Sequence, residues 1–298
     1  MLSGLSAFAL TPTDEHAIDE AAFVGLLRRL VAARVDSIGV LGSTGSYAYL
    51  TRAERARIAA LAVEQADGIP VLVGIGALRT REVLELAEDA QRAGAAAVLL
   101  APVSYQKLHD DEVFGLYQAV SRALSVPLCV YDNPATTQFV FSDALHARIA
   151  ALPAVRAIKL PPVPADPARA RERVQRLRAL VPPHVSLGIS GDASAATGLN
   201  AGCDAWYSVL GGLFPELALA LTRHAQAGQA REATLLSQRL APLWALYARH
   251  GGSLRVIATA AELLGLVQHP CLPLPLRSLG GADRQALAHC LAQLGLSA

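Results

Sequence analysis

The stretch "AAVLLA", residues 96–101, is apolar at every position. Side chains along a β-strand alternate between its two faces, so a short run that is apolar throughout predicts a strand buried on both sides. A stretch of helical pattern precedes this run and ends at Gly94, the residue type that most often terminates a helix. Strands buried on both faces and joined by helices are typical of parallel sheets covered by helices.

Seven more runs of this kind occur in the first 210 residues, with amphipathic stretches between them. Eight repeats of strand and helix with short connections favour a closed (β/α)8 barrel, the TIM-barrel class of α/β fold. An open, doubly wound parallel sheet is the alternative. The seven runs are "LSAFAL" (5–10), "SIGVL" (37–41), "PVLVGI" (70–75), "PLCVYD" (127–132), "VRAIKL" (155–160), "VSLGIS" (185–190) and "DAWYSV" (204–209).

The stretches between the runs carry signals for helix starts. Asp19 precedes apolar residues at three- and four-residue spacing, beginning with Phe23, which places them on one helix face. The sequence "TRAE" (51–54) has the pattern of a capping box, in which a side chain at each end satisfies a free backbone N–H of the first turn. The apolar strand runs and the helix signals between them therefore both support an alternation of strands and helices.

After residue 213 the strand pattern ends, and three or four helical segments are expected. We therefore predict a barrel of residues 1–213 that carries the active site and an all-helical C-terminal extension of residues 214–298. A proline-rich connector, residues 268–281, precedes the last helix. The helical segments include "FPELALALTRHAQAG" (214–228), "AREATLLSQRLAPLWALYARHG" (230–251) and "ADRQALAHCLAQLG" (282–295).

The composition disfavours several functional classes. The chain is 53% hydrophobic and 17% charged with a formal net charge of +1, which argues against disorder and against a nucleic-acid partner. No apolar run reaches the roughly 18 residues of a membrane span, and the first residues lack a signal-peptide pattern, so we expect a soluble cytoplasmic protein. A protein that acts on small molecules is the remaining expectation.

Neither the cysteines nor the histidines form a metal-binding pattern. The eight histidines include no H-E-x-x-H sequence, and "HDDE" (109–112) has the pattern of an acidic first helical turn. We expect no metal and no other cofactor. The four cysteines are far apart and are expected to be buried thiols: Cys129, Cys203, Cys271 and Cys290.

Lys159 is unusual because only two of the 26 basic residues are lysines. It follows apolar residues at the end of the sixth predicted strand, where burial should lower its pKa. A neutral amine is a nucleophile toward ketones, whereas a guanidinium stays protonated. The pattern therefore favours a reactive amine, although Lys107, in a predicted loop, shows that a lysine can also be kept without such a role.

Two further strand ends carry polar residues. After the second strand, Gly42 and Gly45 permit tight turns that bring backbone N–H groups and the hydroxyls of Ser43 and Thr44 toward one point, as in a small anion site. A plain strand-to-helix turn is the alternative. Tyr131 ends the fifth strand, where it could face the site or belong to the core.

Together, "GSTGS" (42–46), "YDNP" (131–134) and "IK" (158–159) resemble the dihydrodipicolinate synthase and N-acetylneuraminate lyase family, and the similarity extends over essentially the whole chain. The resemblance implies a (β/α)8 barrel with a helical extension, assembled as a homo-oligomer, either dimer or tetramer. It further implies that pyruvate or a related 2-oxo acid is joined to, or cleaved from, an aldehyde through a Schiff base on lysine.

The resemblance also implies roles for individual residues. Lys159 matches the Schiff-base lysine, and Tyr131 matches the tyrosine that relays protons and covers the imine. Ser43 and Thr44, with the adjacent Gly45, match the loop that holds the carboxylate of the 2-oxo acid. Tyr105 more loosely resembles the tyrosine that reaches into a neighbouring subunit's site.

Departures from the family pattern concern the side of the second substrate. Thr136 stands where dihydrodipicolinate synthases have the arginine that grips the aldehyde's carboxylate, and Tyr207 stands where a smaller apolar residue usually lies near the imine. Both are expected to line the substrate site. Ser46 replaces a loop glutamate, and Pro161 replaces a hydroxyl residue of several relatives.

We therefore predict a class I, metal-independent lyase that makes or breaks a carbon–carbon bond next to a 2-oxo acid. Three alternatives stay open. The chain could be a true dihydrodipicolinate synthase (4-hydroxy-tetrahydrodipicolinate synthase) that holds its aldehyde by another cation, or a dehydratase of keto-deoxy sugar acids. It could also be a non-catalytic barrel that binds a 2-oxo acid.

Overall fold

A computed structural model describes residues 3–297, which contain eight parallel strands closed into a barrel. Each strand pairs with the next along the chain, and the eighth pairs with the first. All eight predicted strands are present, so the (β/α)8 barrel is confirmed and the open sheet is excluded. The strands are β1 (Gly4–Phe8), β2 (Ser37–Val40), β3 (Val71–Gly74), β4 (Ala97–Leu100), β5 (Leu128–Tyr131), β6 (Val155–Leu160), β7 (Ser186–Ser190) and β8 (Ala205–Ser208).

The helices between the strands surround the barrel. Thr51 and Glu54 form the predicted capping box, Asp19 accepts a hydrogen bond from the N–H of Ala22, and Gly94 has a left-handed φ of 88°. These helices are α1 (Glu20–Ala33), α2 (Arg52–Gln65), α3 (Thr80–Arg92), α4 (Asp110–Ala123), α5 (Pro134–Thr137), α6 (Asp143–Ala150), α7 (Pro167–Leu180) and α8 (Ala195–Asn200). Short 3-10 helices follow β2, β7 and β8 at Tyr47–Tyr49, Asp192–Ser194 and Leu210–Gly212.

The helix after β8 completes this ring. Helix α9 (Pro215–Gln226) packs against β1, α1 and α8, the place that the eighth helix of a barrel occupies. Its sequence pattern resembles that of the helices that follow, which is why the predicted extension begins at residue 214. By its contacts α9 is part of the barrel, while the division of the chain into two domains stays a prediction.

Four more helices follow, so residues 214–297 contain five helices rather than three or four. The segment 230–251 is split into α10 (Ala230–Arg239) and α11 (Ala241–Arg249), because Pro242 has no N–H and starts a new helix. The others are α12 (Leu254–Leu263) and α13 (Gly281–Leu294), separated by the proline-rich connector. Within residues 3–297 no helix is both long and apolar enough to cross a membrane.

The apolar residues form two layers. The larger layer lies between strands and helices and consists mainly of leucine, isoleucine and valine. The smaller layer lies inside the barrel and combines alanines with the rings of Phe8, Tyr131 and Tyr207. All four cysteines are buried free thiols, as predicted.

Candidate active site

The amine of Lys159 lies inside the barrel among aromatic rings. Its side chain comes from the last residue but one of β6, and the residue is only 5% exposed. Nζ lies 3.8 Å from the centroid of the Phe8 ring and 4.1 Å from that of Tyr131. Burial lowers the pKa of Lys159 from 10.5 to about 7, against the weaker attraction of Cys129 and Asp192 for its charge. A large fraction of the amine is therefore neutral and nucleophilic near neutral pH.

Tyr131 lies beside Lys159 because the two residues are paired in register across β5 and β6. Its hydroxyl accepts a hydrogen bond of 3.0 Å from Nδ2 of Asn133, which also approaches Oγ of Ser43 at 3.4 Å. Burial raises the pKa of Tyr131 to about 12, although a hydrogen bond with Ser43 opposes this rise. The phenol is therefore protonated at neutral pH and can donate a proton next to the amine.

The loop after β2 approaches the same point. Ser43 is half-buried, Thr44 is buried, and Leu41 and Ser46 adopt left-handed φ angles of 56° and 52°. A Cβ on Gly45 would lie 2.9 Å from the backbone N of Leu41, so only glycine permits this tight turn. Through Asn133 the loop is linked to Tyr131, which brings the predicted binding residue Ser43 close to the predicted catalytic tyrosine.

Tyr207 lies deeper in the barrel than the rim. It is 1% exposed, its ring centroid is 5.6 Å from Nζ of Lys159, and its hydroxyl accepts a long hydrogen bond of 3.5 Å from Sγ of Cys129. A Cβ on Gly188 would clash with its ring, so the absence of a side chain on β7 makes room for it. Tyr207 thus lies near the amine and fills space inside the barrel.

Thr136 and Tyr105 lie outside this cluster. Thr136 is exposed in α5, and its hydroxyl makes a hydrogen bond of 3.4 Å to the carbonyl of Asn133. Tyr105 is 91% exposed in the loop between β4 and α4. In the single chain neither side chain is brought against Lys159, and Tyr105 is available to a second chain.

Phe8 was not singled out from the sequence, although its ring is the nearest aromatic group to the amine. The run "LSAFAL" was interpreted as uniformly apolar. The useful signal was the alternation along β1 and β2. The small residues Ser6, Ser37 and Gly39 leave room inside the barrel for the ring of Phe8.

Asp192 was also missed. Its buried carboxylate accepts hydrogen bonds from Nε1 of Trp206 (3.0 Å), Oγ of Ser208 (3.2 Å) and the backbone N–H groups of Val209 (3.2 Å) and Leu210 (2.7 Å). Burial raises its pKa, and these four hydrogen bonds oppose the rise. Asp192 therefore fixes the end of β8 next to the site. Its only sequence signal was that it is a polar residue close after the seventh predicted strand.

A third group that the sequence did not reveal lies at the barrel mouth. Arg55 donates hydrogen bonds of 3.0 Å to the carbonyls of Gly74 and Gly76, and its guanidinium lies 5.3 Å from the ring of Tyr47. Burial lowers the pKa of Arg55 to about 10 and raises that of Tyr47 to about 12. These residues fix the loops after β2 and β3.

A cavity of about 420 Å³ lies on the outside of the barrel, between α7, α8, α10 and α11. It is lined by residues such as Arg171, Asn200 and Trp244, and it shares no residue with the Lys159 cluster. Its size alone does not mark a reactive site, because the perturbed amine lies elsewhere.

Comparison with known proteins agrees with this geometry. The model of the dihydrodipicolinate synthetase family matches residues 1–294. A 4-hydroxy-tetrahydrodipicolinate synthase of Thermomicrobium roseum is 31% identical over 98% of this chain and 94% of its own. The crystal structure of a dihydrodipicolinate synthase from Agrobacterium tumefaciens is 47% identical, with a TM-score of 0.94 over 98% of both chains.

A further solved structure is that of the chloride-inhibited dihydrodipicolinate synthase from Acinetobacter baumannii complexed with pyruvate. It is 25% identical, with a TM-score of 0.88 over 99% of this chain and 100% of its own. A family match that spans nearly the whole chain, with a buried lysine at the end of the sixth strand, identifies the class of the protein. The chain belongs to the dihydrodipicolinate synthetase family and is a lyase of the class I, Schiff-base-forming type.

Proposed function

We propose that this lyase uses pyruvate or a closely related 2-oxo acid as donor and an aldehyde without a carboxylate near Thr136 as acceptor. The observation that carries the proposal is the buried amine of Lys159, with a pKa of about 7, paired in register with Tyr131. The pyruvate complex of the Acinetobacter baumannii relative supports the choice of donor.

In the first step, the neutral amine of Lys159 attacks the ketone carbon of the 2-oxo acid and forms a C–N bond. The carbonyl oxygen leaves as water with one proton from the amine and one from a donor, and a protonated imine remains. Tyr131, protonated and held by Asn133, lies beside Lys159 and serves as that donor. The hydroxyls of Ser43 and Thr44 and the N–H groups of their loop hold the carboxylate.

In the second step, the imine draws electrons from the adjacent carbon. Loss of a C3 proton gives an enamine, which attacks the aldehyde carbon and forms the new C–C bond, while the aldehyde oxygen takes up a proton. Water then releases the product and restores the amine. Cleavage follows the same path in reverse.

The acceptor is the part of the reaction for which this chain differs from dihydrodipicolinate synthases. The exposed hydroxyl of Thr136 carries no charge to pair with a carboxylate, which favours a hydroxylated aldehyde of the kind released from 2-keto-3-deoxy sugar acids. The names of the relatives favour a second candidate, the 4-hydroxy-tetrahydrodipicolinate synthase reaction. Comparing the rate with aspartate semialdehyde and with hydroxylated aldehydes, pyruvate being the donor in both, separates the two.

We further propose that the protein is a homo-oligomer in which Tyr105 of one copy meets the site of another. Four exposed apolar side chains support this, because they lie on the loops after four consecutive strands at one end of the barrel. They are Tyr49, Leu78, Tyr105 and Val140. Light scattering of the wild type and of Leu78→Asp is expected to show an oligomer that the charge weakens; a monomeric wild type would contradict the proposal.

The central test is borohydride trapping. Sodium borohydride should inactivate the protein only when pyruvate or another 2-oxo acid is present, and peptide mass analysis should place the reduced adduct on Lys159. Lys107 is a built-in control because it is the other lysine of the chain. An adduct on Lys107 alone, or none with any 2-oxo acid, would contradict the proposed function.

A further inference from the structure

Three aromatic rings surround the nitrogen that would carry the imine. Nζ of Lys159 lies over the ring of Phe8 at 3.8 Å, over that of Tyr131 at 4.1 Å and over that of Tyr207 at 5.6 Å. All three distances lie within the roughly 6 Å at which the face of an aromatic ring attracts a cation. We refer to Phe8, Tyr131 and Tyr207 as the aromatic cage.

Two of the rings fit against glycines of neighbouring strands. A Cβ on Gly39 would lie 2.6 Å from Cε2 of Phe8, and a Cβ on Gly42 would lie 2.7 Å from its Cε1. Gly188 leaves the corresponding space for Tyr207, whose ring meets that of Phe8 edge-on at 6.1 Å. The cage is therefore held in place by the barrel before any substrate arrives.

The carboxylate that acts on Lys159 is already engaged. Asp192 attracts the charge of the lysine, but its two oxygens accept four hydrogen bonds from the end of β8 and the residues that follow. A positive charge created on Nζ therefore meets the three ring faces as well as the carboxylate of the bound 2-oxo acid. Imine formation creates such a charge, which is lost in the neutral enamine and returns when the new C–C bond forms.

We propose that Phe8 and Tyr207, together with Tyr131, bind the protonated imine on Lys159 through their ring faces and so favour its formation. This inference rests on the proposed function. It assigns Phe8 and Tyr207 a part in binding the cationic intermediate, beyond filling the barrel. Phe8 contributes most to binding the cation, because its ring is the nearest of the three to Nζ. Phe8 has no hydroxyl, so only its ring face can interact with the charge.

Fluorination of Phe8 tests the proposal with almost no change in shape, since each fluorine weakens the negative face of the ring. Phe8 is replaced site-specifically by phenylalanine with one, two or three fluorines. For each protein, the pyruvate concentration that gives half-maximal borohydride trapping on Lys159 is measured after a fixed short exposure. We expect this concentration to rise stepwise with fluorine number, by about threefold to thirtyfold over the series.

The same substitutions at Phe23 are the matched control, because Phe23 is fully buried in α1. They should leave the half-maximal concentration unchanged. Phe8→Leu, which keeps an apolar side chain without a ring face, should resemble the trifluorinated protein.

The failure of this inference is distinguishable from that of the proposed function. A wild type that traps pyruvate on Lys159, with a half-maximal concentration independent of fluorine number at Phe8, overturns the aromatic cage and leaves the function intact. A wild type that traps no 2-oxo acid overturns the proposed function itself. A steady rise at Phe8 with no change at Phe23 supports both.

Discussion

The donor side of the site and its acceptor side are built from different parts of the molecule. Lys159 and Tyr131 extend from paired positions of two strands and are buried, with exposures of 5% and 8%. Thr136 and Tyr105, predicted to act on the second substrate or in a neighbouring site, lie after the strands and are exposed. The strands fix the two residues that would make the imine, whereas Thr136 and Tyr105 lie in the segments after the strands.

This difference has a physical basis. Register in a parallel barrel is set by backbone hydrogen bonds and by the packing of both faces, so a strand residue has little freedom. The loops after the strands can change without disturbing that packing, which is why barrels of one fold act on many substrates. We therefore expect substitutions on the donor side to have much larger effects on imine formation than those on the acceptor side.

The largest expected effect is that of Lys159→Arg. The guanidinium stays protonated and has no lone pair to attack a ketone, so turnover should fall by at least about a thousandfold. Turnover with pyruvate and the best aldehyde found, measured beside circular dichroism, checks this. Substantial turnover in a folded Lys159→Arg protein would contradict the imine mechanism.

Lys159→Met is expected to stabilise the protein because it removes a buried amine. The fall of the pKa from 10.5 to about 7 means that the buried, protonated lysine lowers the free energy of unfolding by at most about 5 kcal/mol. The full amount applies below pH 7, where the lysine is protonated in both the folded and the unfolded protein. Free energies of unfolding from urea titrations at several pH values provide the measurement.

The pH dependence of this gain has a defined sign. Between pH 7 and 10.5 the unfolded lysine binds more protons than the folded one, so the wild type gains stability as the pH rises. The advantage of Lys159→Met should therefore be greatest below pH 7 and shrink toward zero near pH 10.5. An advantage independent of pH would show that Lys159 is not buried with a lowered pKa.

Tyr131→Phe should have a smaller effect than loss of the amine. The variant keeps the ring 4.1 Å from Nζ but loses the hydroxyl that accepts a hydrogen bond from Asn133. We expect kcat to fall by about a hundredfold, because proton transfer is slowed while the amine remains. Steady-state kinetics would show the loss, and a variant with kcat within about threefold of the wild type would remove Tyr131 from the proton path.

Thr136→Val is expected to change imine formation least. Its hydroxyl makes one long hydrogen bond to a backbone carbonyl on an exposed turn, so borohydride trapping of pyruvate should stay within about threefold of the wild type. The half-maximal pyruvate concentration for trapping is the readout. A rise of more than about tenfold would mean that the two sides of the site are not separable.

Much of this arrangement could be predicted from the sequence, because it depends on local pattern. Strands apolar on both faces identified the barrel, and the rarity of lysine identified Lys159 at a strand end. The neighbours of Lys159 were harder to predict. The position of Phe8 against Gly39, and of Tyr207 against Gly188, depends on which strand positions face inward and which residues stand opposite.

Two other features depend on contacts that no single segment shows. Asp192 acts through hydrogen bonds to residues 14 to 18 positions further along the chain, across the packing of β7 and β8. Helix α9 resembles the helices that follow in sequence, and only its packing against β1 and α1 places it in the ring. The role of Tyr105 requires a second chain and stays a prediction.

The central claim is that the donor side forms an imine with a 2-oxo acid independently of any acceptor. Solvent exchange tests it most directly, because the enamine forms by loss of a C3 proton that D2O replaces with deuterium. With pyruvate alone in D2O, the wild type should exchange the methyl protons in a proton NMR time course, and Lys159→Met should not. No exchange with the wild type, or equal exchange with Lys159→Met, would contradict the account.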